Sequence, residues 1–468
     1  MKRICSLLLV LCMIPAMCLP AFAAKECHCG HAPMIYVHGF GKAVYQFGED
    51  AAEQIYPPTD EKFKETTKTI VYAALALVFR QYRLFATLGM RAAENLLGKI
   101  KCDPNGNPLE NTGVYGGLPK SDVHGKMQIG IADYSFSYDW RLSPVDNAQS
   151  LREYILRVCT LTGHSKVSLV CHSMGGTVLA AYLYQYGGAD IEQMICLAPA
   201  WQGLSIMGSL LSGEAQVKDK SKEVDLFLHS LPMIEDARLQ KLMDIAGKLN
   251  LYKPILRLVQ HALDSQFERV YYTCLRGMFA TMPGMWAFVP DSYYERAKAF
   301  TFGDDTSFDA LIDKIDFYHY NIQNRLTDLL SAAMDDGMQL FIVSGYGISS
   351  MPLSSTHTVQ SDILIDTVYT SIGAVSMPFD KKLPASHKQV VPDEHNHISP
   401  DGFIDASACA FPENTWFVRG MMHFDYPTDA KPFVLWAIAQ QPGTTVHTDP
   451  QFPQFIAWDK ETGLSPVE

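Results

Sequence analysis

The stretch VSLVCHSMGGTVLAAYL, Val167 to Leu183, carries an apolar strand into Ser173 and from there straight into a helix. A serine on such a bend presents its hydroxyl at the strand end, where it can attack an acyl carbon. The usual motif is G-x-S-x-G. Here it reads Cys171-His172-Ser173-Met174-Gly175, with a cysteine in place of the first glycine. Small side chains are needed because strand and helix approach closely there and the serine backbone is strained. Cysteine is small, and Gly175-Gly176 serves the other side. A helix-capping serine is the plainer alternative. His172 sits on the bend itself, where its ring cannot easily reach the neighbouring hydroxyl, so a structural role is expected.

A hydroxyl nucleophile needs a base, and the base needs an orienting carboxylate. With a nucleophile on a strand–helix bend, the chain order is serine, acid, histidine, each on a loop after a strand. His423 follows the strand-like NTWFVRG and is the expected base. SPDGFIDAS offers Asp401 and Asp405. Asp401 is preferred, because Gly402 lets the chain turn tightly and present a carboxylate. Asp304 and Asp305 precede the QLFIVSG strand and are expected to cap or turn. Attack on an ester creates an oxyanion that needs N–H donors. The amide of Met174 is one expected donor and that of Phe40, in HGFG, the other, with His38 bracing that loop.

These groups need elements to hold them. MIYVHGF reads as a short buried strand. QIGIADYSFSYDWR, Val167–Cys171 and IEQMICLAPA read as further strands, with helices over Asp146–Leu161 and Gly175–Tyr186. This alternation implies a parallel sheet with helices on both faces. One long helical stretch is expected from Thr59 to Lys99; its apolar run is too short to span a bilayer. From Leu204 to Ala333 the pattern is helices and loops, and strands return at MQLFIVSGYGI and NTWFVRG. The division expected is a leader at 1–23, a core at 24–203 with a helical insertion at about 59–100, a cap at 204–335, a second core part at 336–440 and a tail at 441–468.

The formal net charge of −12 excludes a basic nucleic-acid-binding surface as the main theme. Lys2 and Arg3, an apolar run over Leu7–Leu19 and an A-x-A site in AFAA have the form of a secretory signal peptide cut after Ala23 or Ala24. An extracytoplasmic protein is expected. Of the eleven cysteines, Cys5, Cys12 and Cys18 leave with the leader, so any disulfides are accessories rather than the frame. Cys171 and Cys196 read as buried thiols. CHCGH, Cys27–His31, has metal-ligand residue types, but a disulfide or a frayed terminus is the plainer reading, because no second cluster completes a tetrahedral set. No metal and no cofactor is therefore expected.

The set VHGF, FSYDWR, CHSMGG, LAPAWQG and DGFID…GMMHFD resembles the lecithin:cholesterol acyltransferase-like branch of the α/β-hydrolases, with its bacterial lipase-like relatives. YDWR, Tyr138–Arg141, and Ala-Pro-x-x-x-Gly at Ala198–Gly203 are its more specific marks. The resemblance implies an α/β-hydrolase fold with a helical cap, Ser173 as nucleophile, Asp401 as acid and His423 as base. It also implies an acyl-enzyme intermediate and lipid or other hydrophobic ester substrates, with a structural calcium compatible, as in some bacterial lipases. MPGMWAFVP looks like that branch's aromatic cap segment, so Met282, Met285, Trp286 and Phe288 are expected to line an acyl site. Hydrolysis and acyl transfer are both compatible, and oligomeric state is not legible. The rivals are a noncatalytic lipid-binding protein on the same fold and a serine peptidase or amidase.

Overall fold

The computed structural model describes residues 26–49, 51–109, 111–125, 131–217, 237–351, 359–378 and 381–467. The expected leader lies outside the described residues.

Eight strands form one sheet: β1 (Met34–Val37), β2 (Tyr134–Phe136), β3 (Val167–His172), β4 (Ile191–Leu197), β5 (Gln339–Tyr346), β6 (Thr415–Arg419), β7 (Phe455–Asp459) and β8 (Gly463–Pro466). Their order across the sheet is β8-β7-β6-β5-β4-β3-β1-β2. Every neighbouring pair is parallel except the antiparallel edge pair β7–β8. With helices against both faces, this is the mostly parallel α/β-hydrolase architecture.

The helices relevant to the site are α1 (Asp60–Val78), α2 (Tyr82–Leu97), α3 (Pro144–Thr162), α4 (Gly175–Tyr186), α5 (Ser205–Leu211), α6 (Ala237–Lys248), α7 (Tyr252–Val270), α8 (Asp291–Phe302), α9 (Asp309–Asn321), α10 (Leu326–Asp335) and α11 (Lys431–Ile438). Strand alternation decides which face each covers. Leu169 and Cys171 of β3 join Val178 and Leu179 of α4 in one core, whereas Val170 points the other way, into a second core with Phe433 and Val434 of α11. Both faces are buried, which is why these strands read as unbroken apolar runs.

Two expectations are corrected. The stretch from Thr59 to Lys99 is a helical hairpin rather than one helix: it breaks at Arg80, whose φ is +57°. Residues 441–468 are no tail, because β7 and β8 extend the sheet beyond β6. Phe455 and Ile456 of FIAWD are buried there. Helices α5 to α10 all fall between β4 and β5 and form the cap.

The cap rests on the core by close backbone contact. A Cβ on Gly284 would lie 2.0 Å from the carbonyl oxygen of Trp140, so only glycine fits where MPGMWAFVP presses on YDWR. The Gly284 amide donates to the Arg141 carbonyl at 3.0 Å. Arg141 is fully buried and grips Asp139 with two nitrogens, Nε at 2.9 Å and Nη2 at 2.7 Å. Its Nη1 donates to the Ile100 carbonyl and the Thr112 hydroxyl, which ties the end of the α1–α2 hairpin to the core.

Candidate active site

Ser173 follows β3 directly and adopts φ +55°, a left-handed conformation costly for a side-chain-bearing residue. The neighbours make this bend possible. A Cβ on Gly175 would lie 2.4 Å from the Val37 carbonyl oxygen, and one on Gly176 would lie 2.8 Å from Pro199 Cβ. The space problem thus lies after the serine, and Cys171 is accommodated, fully buried, where the usual motif has glycine. The Ser173 amide donates to Leu197 O at 3.1 Å, and the Ser173 carbonyl accepts from Ala200 N at 2.9 Å. The bend is held from both sides.

His423 lies beyond the end of β6, with 1% exposure. Its Nδ1 is 2.7 Å from Oδ2 of Asp362, and its amide donates to the Asp362 carbonyl at 2.9 Å. The carboxylate partner of the histidine is therefore Asp362. Its other oxygen accepts from the amides of Leu364 and Ile365 at 3.0 and 2.7 Å. Asp362 is itself fully buried. Three hydrogen bonds to one carboxylate compensate that burial.

Asp401 is not brought to His423. It accepts from the Tyr346 hydroxyl at 3.0 Å and Arg419 Nη1 at 3.2 Å, bracing the ends of β5 and β6. Asp405 is spent on Ser407, the Val390 amide and His387 Nε2, the last at 2.7 Å. All three aspartates share the long connection between β5 and β6, so chain order alone could not separate them. The missed signal is SDILID: a carboxylate set among Ile363, Leu364 and Ile365 must be buried with the apolar side chains around it, whereas Asp-Gly at 401 has the ordinary composition of a surface turn.

His172 braces the base. Its Nε2 donates to the His423 carbonyl at 2.9 Å, and the two rings lie 4.6 Å apart. Burial, reinforced by the neighbouring His423, pushes its pKa well below the ordinary histidine range, so it is neutral. His38 also works through its ring. Its Nδ1 contacts the Gly39 carbonyl at 2.7 Å, and it stacks on Tyr138 at 4.6 Å. Burial holds its pKa down at about 4. A neutral ring must then donate from Nδ1 to that carbonyl. In a trans peptide the following Phe40 N–H points opposite to the clamped carbonyl. Among the described residues, the amides of Phe40 and Met174 have no hydrogen-bond acceptor.

Ser173, His423 and Phe40 face one cavity of about 840 Å³. Its walls are almost entirely apolar and come from α2 (Phe85, Met90), α5 (Met207) and the cap (Phe279, Met285, Phe288). Of the four expected acyl-site residues, Met285 and Phe288 line this cavity. Met282 and Trp286 do not; both are buried in core packing, with the Trp286 indole donating to Ala280 O at 2.8 Å. The contribution of the α1–α2 hairpin to the wall was not legible in the sequence.

Residues 128–222 match the family model for lecithin:cholesterol acyltransferase. The match runs over β2 to α5 and contains FSYDWR, CHSMGG and LAPAWQG, which carried the resemblance. The fold is that of an α/β-hydrolase, and this segment is lecithin:cholesterol acyltransferase-like. Among solved structures, a chain of the Tle4–Tli4 complex aligns at 15% identity over 38% of this chain, with a TM-score of 0.20. The alignment spans about half of that chain (48%). No curated protein matches.

Proposed function

We propose that this protein is a secreted serine hydrolase acting on carboxylic esters of lipids, with Ser173 as nucleophile, His423 as base and Asp362 in place of Asp401 as the orienting carboxylate. The observation that carries this reading is the 2.7 Å contact from His423 to buried Asp362 beside a cavity that Ser173 shares. His423 Nε2 takes the proton of Ser173 Oγ as that oxygen bonds to the acyl carbon. Asp362 accepts from Nδ1–H and stabilises the imidazolium. The amides of Phe40 and Met174 hold the oxyanion. Collapse breaks the ester bond, and the alcohol leaves with the proton from His423. Water, or a second alcohol, then takes the acyl group in the reverse sequence.

The apolar walls favour an acyl chain over a peptide, because a buried amide backbone there would lose its hydrogen bonds to water. A fluorophosphonate probe should label the protein at Ser173, and Ser173→Ala should abolish labelling and lower kcat on p-nitrophenyl esters by several powers of ten. Labelling elsewhere, or turnover retained in the alanine variant, rules the reading out. Export follows from the leader-like N-terminus, and N-terminal sequencing of exported protein should find a start at Ala24 or Lys25; an intact Met1 on the exported chain contradicts it.

A further inference from the structure

Two groups of side chains remote from Ser173 have the chemistry of metal ligands. The first surrounds Glu413, on the turn that enters β6, at the opposite end of that strand from His423. Glu413 Oε1 lies 3.4 Å from His395 Nδ1, 3.3 Å from His397 Nε2 and 3.3 Å from His447 Nε2. Asp393 stands 3.7 Å from both the His395 and the His397 nitrogens.

His397 is the informative member. Its side chain is fully buried, and its Nε2 has no hydrogen-bond partner among the described residues. The tautomer is fixed from the far side of the ring. Gln454 Nε2 donates to the carbonyls of Pro412 and Thr415 at 2.8 and 3.3 Å, so its Oε1 faces His397 Nδ1 at 2.8 Å. That nitrogen therefore carries the proton, and the Nε2 lone pair points between two carboxylates. A buried Nε2 facing two anions is favourable only with positive charge between them, supplied by a bound metal ion or by a second proton on the ring, and metal content tells the two apart. Nitrogen and oxygen ligands on a tetrahedral zinc, at bonds of about 2.0–2.2 Å, stand about 3.3–3.5 Å apart, the spacing each of the three histidine nitrogens keeps from Glu413 Oε1. Among one another the ligand atoms fall into two groups that share Glu413, with His395 and His447 in one and Asp393 and His397 in the other.

We propose that His395, His397, His447 and Glu413 form a structural zinc site, with Asp393 within reach as an alternative oxygen ligand. Three imidazoles and a carboxylate suit zinc better than calcium or magnesium, which take oxygen ligands. Four protein ligands leave no open position for substrate, so the role is structural. The ion would join the 393–397 loop, the turn before β6 and the loop before β7. A backbone bond from Val446 N to Glu413 O, 2.9 Å, already links the last two.

The second group completes CHCGH with histidines distant in sequence. Cys29 Sγ lies 3.4 Å from His124 Nε2 and 3.4 Å from His164 Nε2. Ligand atoms of Cys27, Cys29 and His164 all lie within 4.8 Å of one another. His124 Nδ1 is 3.0 Å from Asp133 Oδ2, the carboxylate–histidine pairing that orients zinc-binding imidazoles. The same carboxylate oxygen accepts from the amide of Met34, at the start of β1, at 3.0 Å. We infer from this independent cluster a second structural zinc site of Cys27, Cys29, His124 and His164. It would fasten the segment before β1 to the loops that precede β2 and β3.

Both sites are read on the whole exported protein, loaded with zinc, freed of excess ion and analysed for metal per chain, then repeated with cobalt(II). The expected result is two ions per chain and a thiolate-to-cobalt charge-transfer band. His397→Ala or Glu413→Gln should remove one ion and leave the band; Cys29→Ser or His124→Ala should remove one ion and the band; His28→Ala should change neither. In each variant the ion retained at the other site, with an unchanged near-ultraviolet circular dichroism spectrum, shows that the chain is folded. Metal content unchanged by both His397→Ala and Glu413→Gln overturns the first site. Content and band unchanged in Cys29→Ser, or a Cys27–Cys29 disulfide found by mass spectrometry, overturns the second. Wild-type protein that retains no zinc overturns both.

Discussion

Asp366 shows how the surroundings of a carboxylate decide its behaviour. It lies four residues beyond Asp362, buried, with one oxygen accepting from the Ser205 amide at 2.9 Å and the other unpartnered. Burial, with a smaller push from Asp362, raises its pKa from 3.8 to about 6. The folded chain thus binds this proton more tightly than the unfolded chain. Stability is favoured below pH 4 and declines as pH rises through the interval to about 6, by about 3 kcal/mol from a shift of this size. Asp366→Asn removes the titration, so urea unfolding between pH 4 and pH 7 should show a stability decline about 3 kcal/mol smaller in the variant. Equal pH slopes would contradict the burial argument. The same contrast explains what could be read at this scale. Ser173 and His423 were legible because a strand–Ser–Gly-Gly–helix bend and a histidine after a late strand are local patterns. Asp362 was not, because its selection depends on which of several loop carboxylates the fold turns inward.

At the scale of elements, the helical hairpin was half legible. Its helix-forming composition was plain; the reversal at Arg80 was not, since no glycine or proline marks it. The consequence is functional. Val71, Tyr72, Leu75, Val78 and Phe79, spaced along one face of α1 and its end, are 46–72% exposed. Helix α1 packs on α2, whose Phe85 and Met90 line the cavity. No helix among the described residues is long and apolar enough to cross a membrane. An exposed apolar stripe beside an apolar cavity suits contact with a lipid surface, lying on it rather than spanning it. Replacing Val71, Val78 and Phe79 together by serine should lower activity on ester micelles or vesicles at least tenfold while leaving kcat/KM on a short soluble ester within about twofold, since roughly 1–2 kcal/mol per buried apolar side chain is at stake. Equal effects on both substrates would assign the stripe a purely structural role. The last two strands were missed for the opposite reason: a short apolar run near the chain end carries no signal that it pairs with a sheet.

At the scale of the molecule, the parallel sheet was legible because both of its faces are covered and its strands are therefore continuously apolar. Gathering the site is a property of the whole chain. Ser173, Asp362 and His423 follow β3, β5 and β6, and all three loops leave the sheet at the carboxyl ends of its strands, where open parallel sheets bind ligands. The cap and the hairpin then close an apolar cavity over them. The measurement that tests this convergence most directly is a kinetic comparison of Asp362→Asn with Asp401→Asn on one soluble ester, with active sites counted by fluorophosphonate. Asp362→Asn should lower kcat by about four orders of magnitude, because the imidazole loses the partner that fixes its tautomer, while Asp401→Asn should stay within tenfold of wild type. A collapse of activity in Asp401→Asn with Asp362→Asn near wild type would contradict the account.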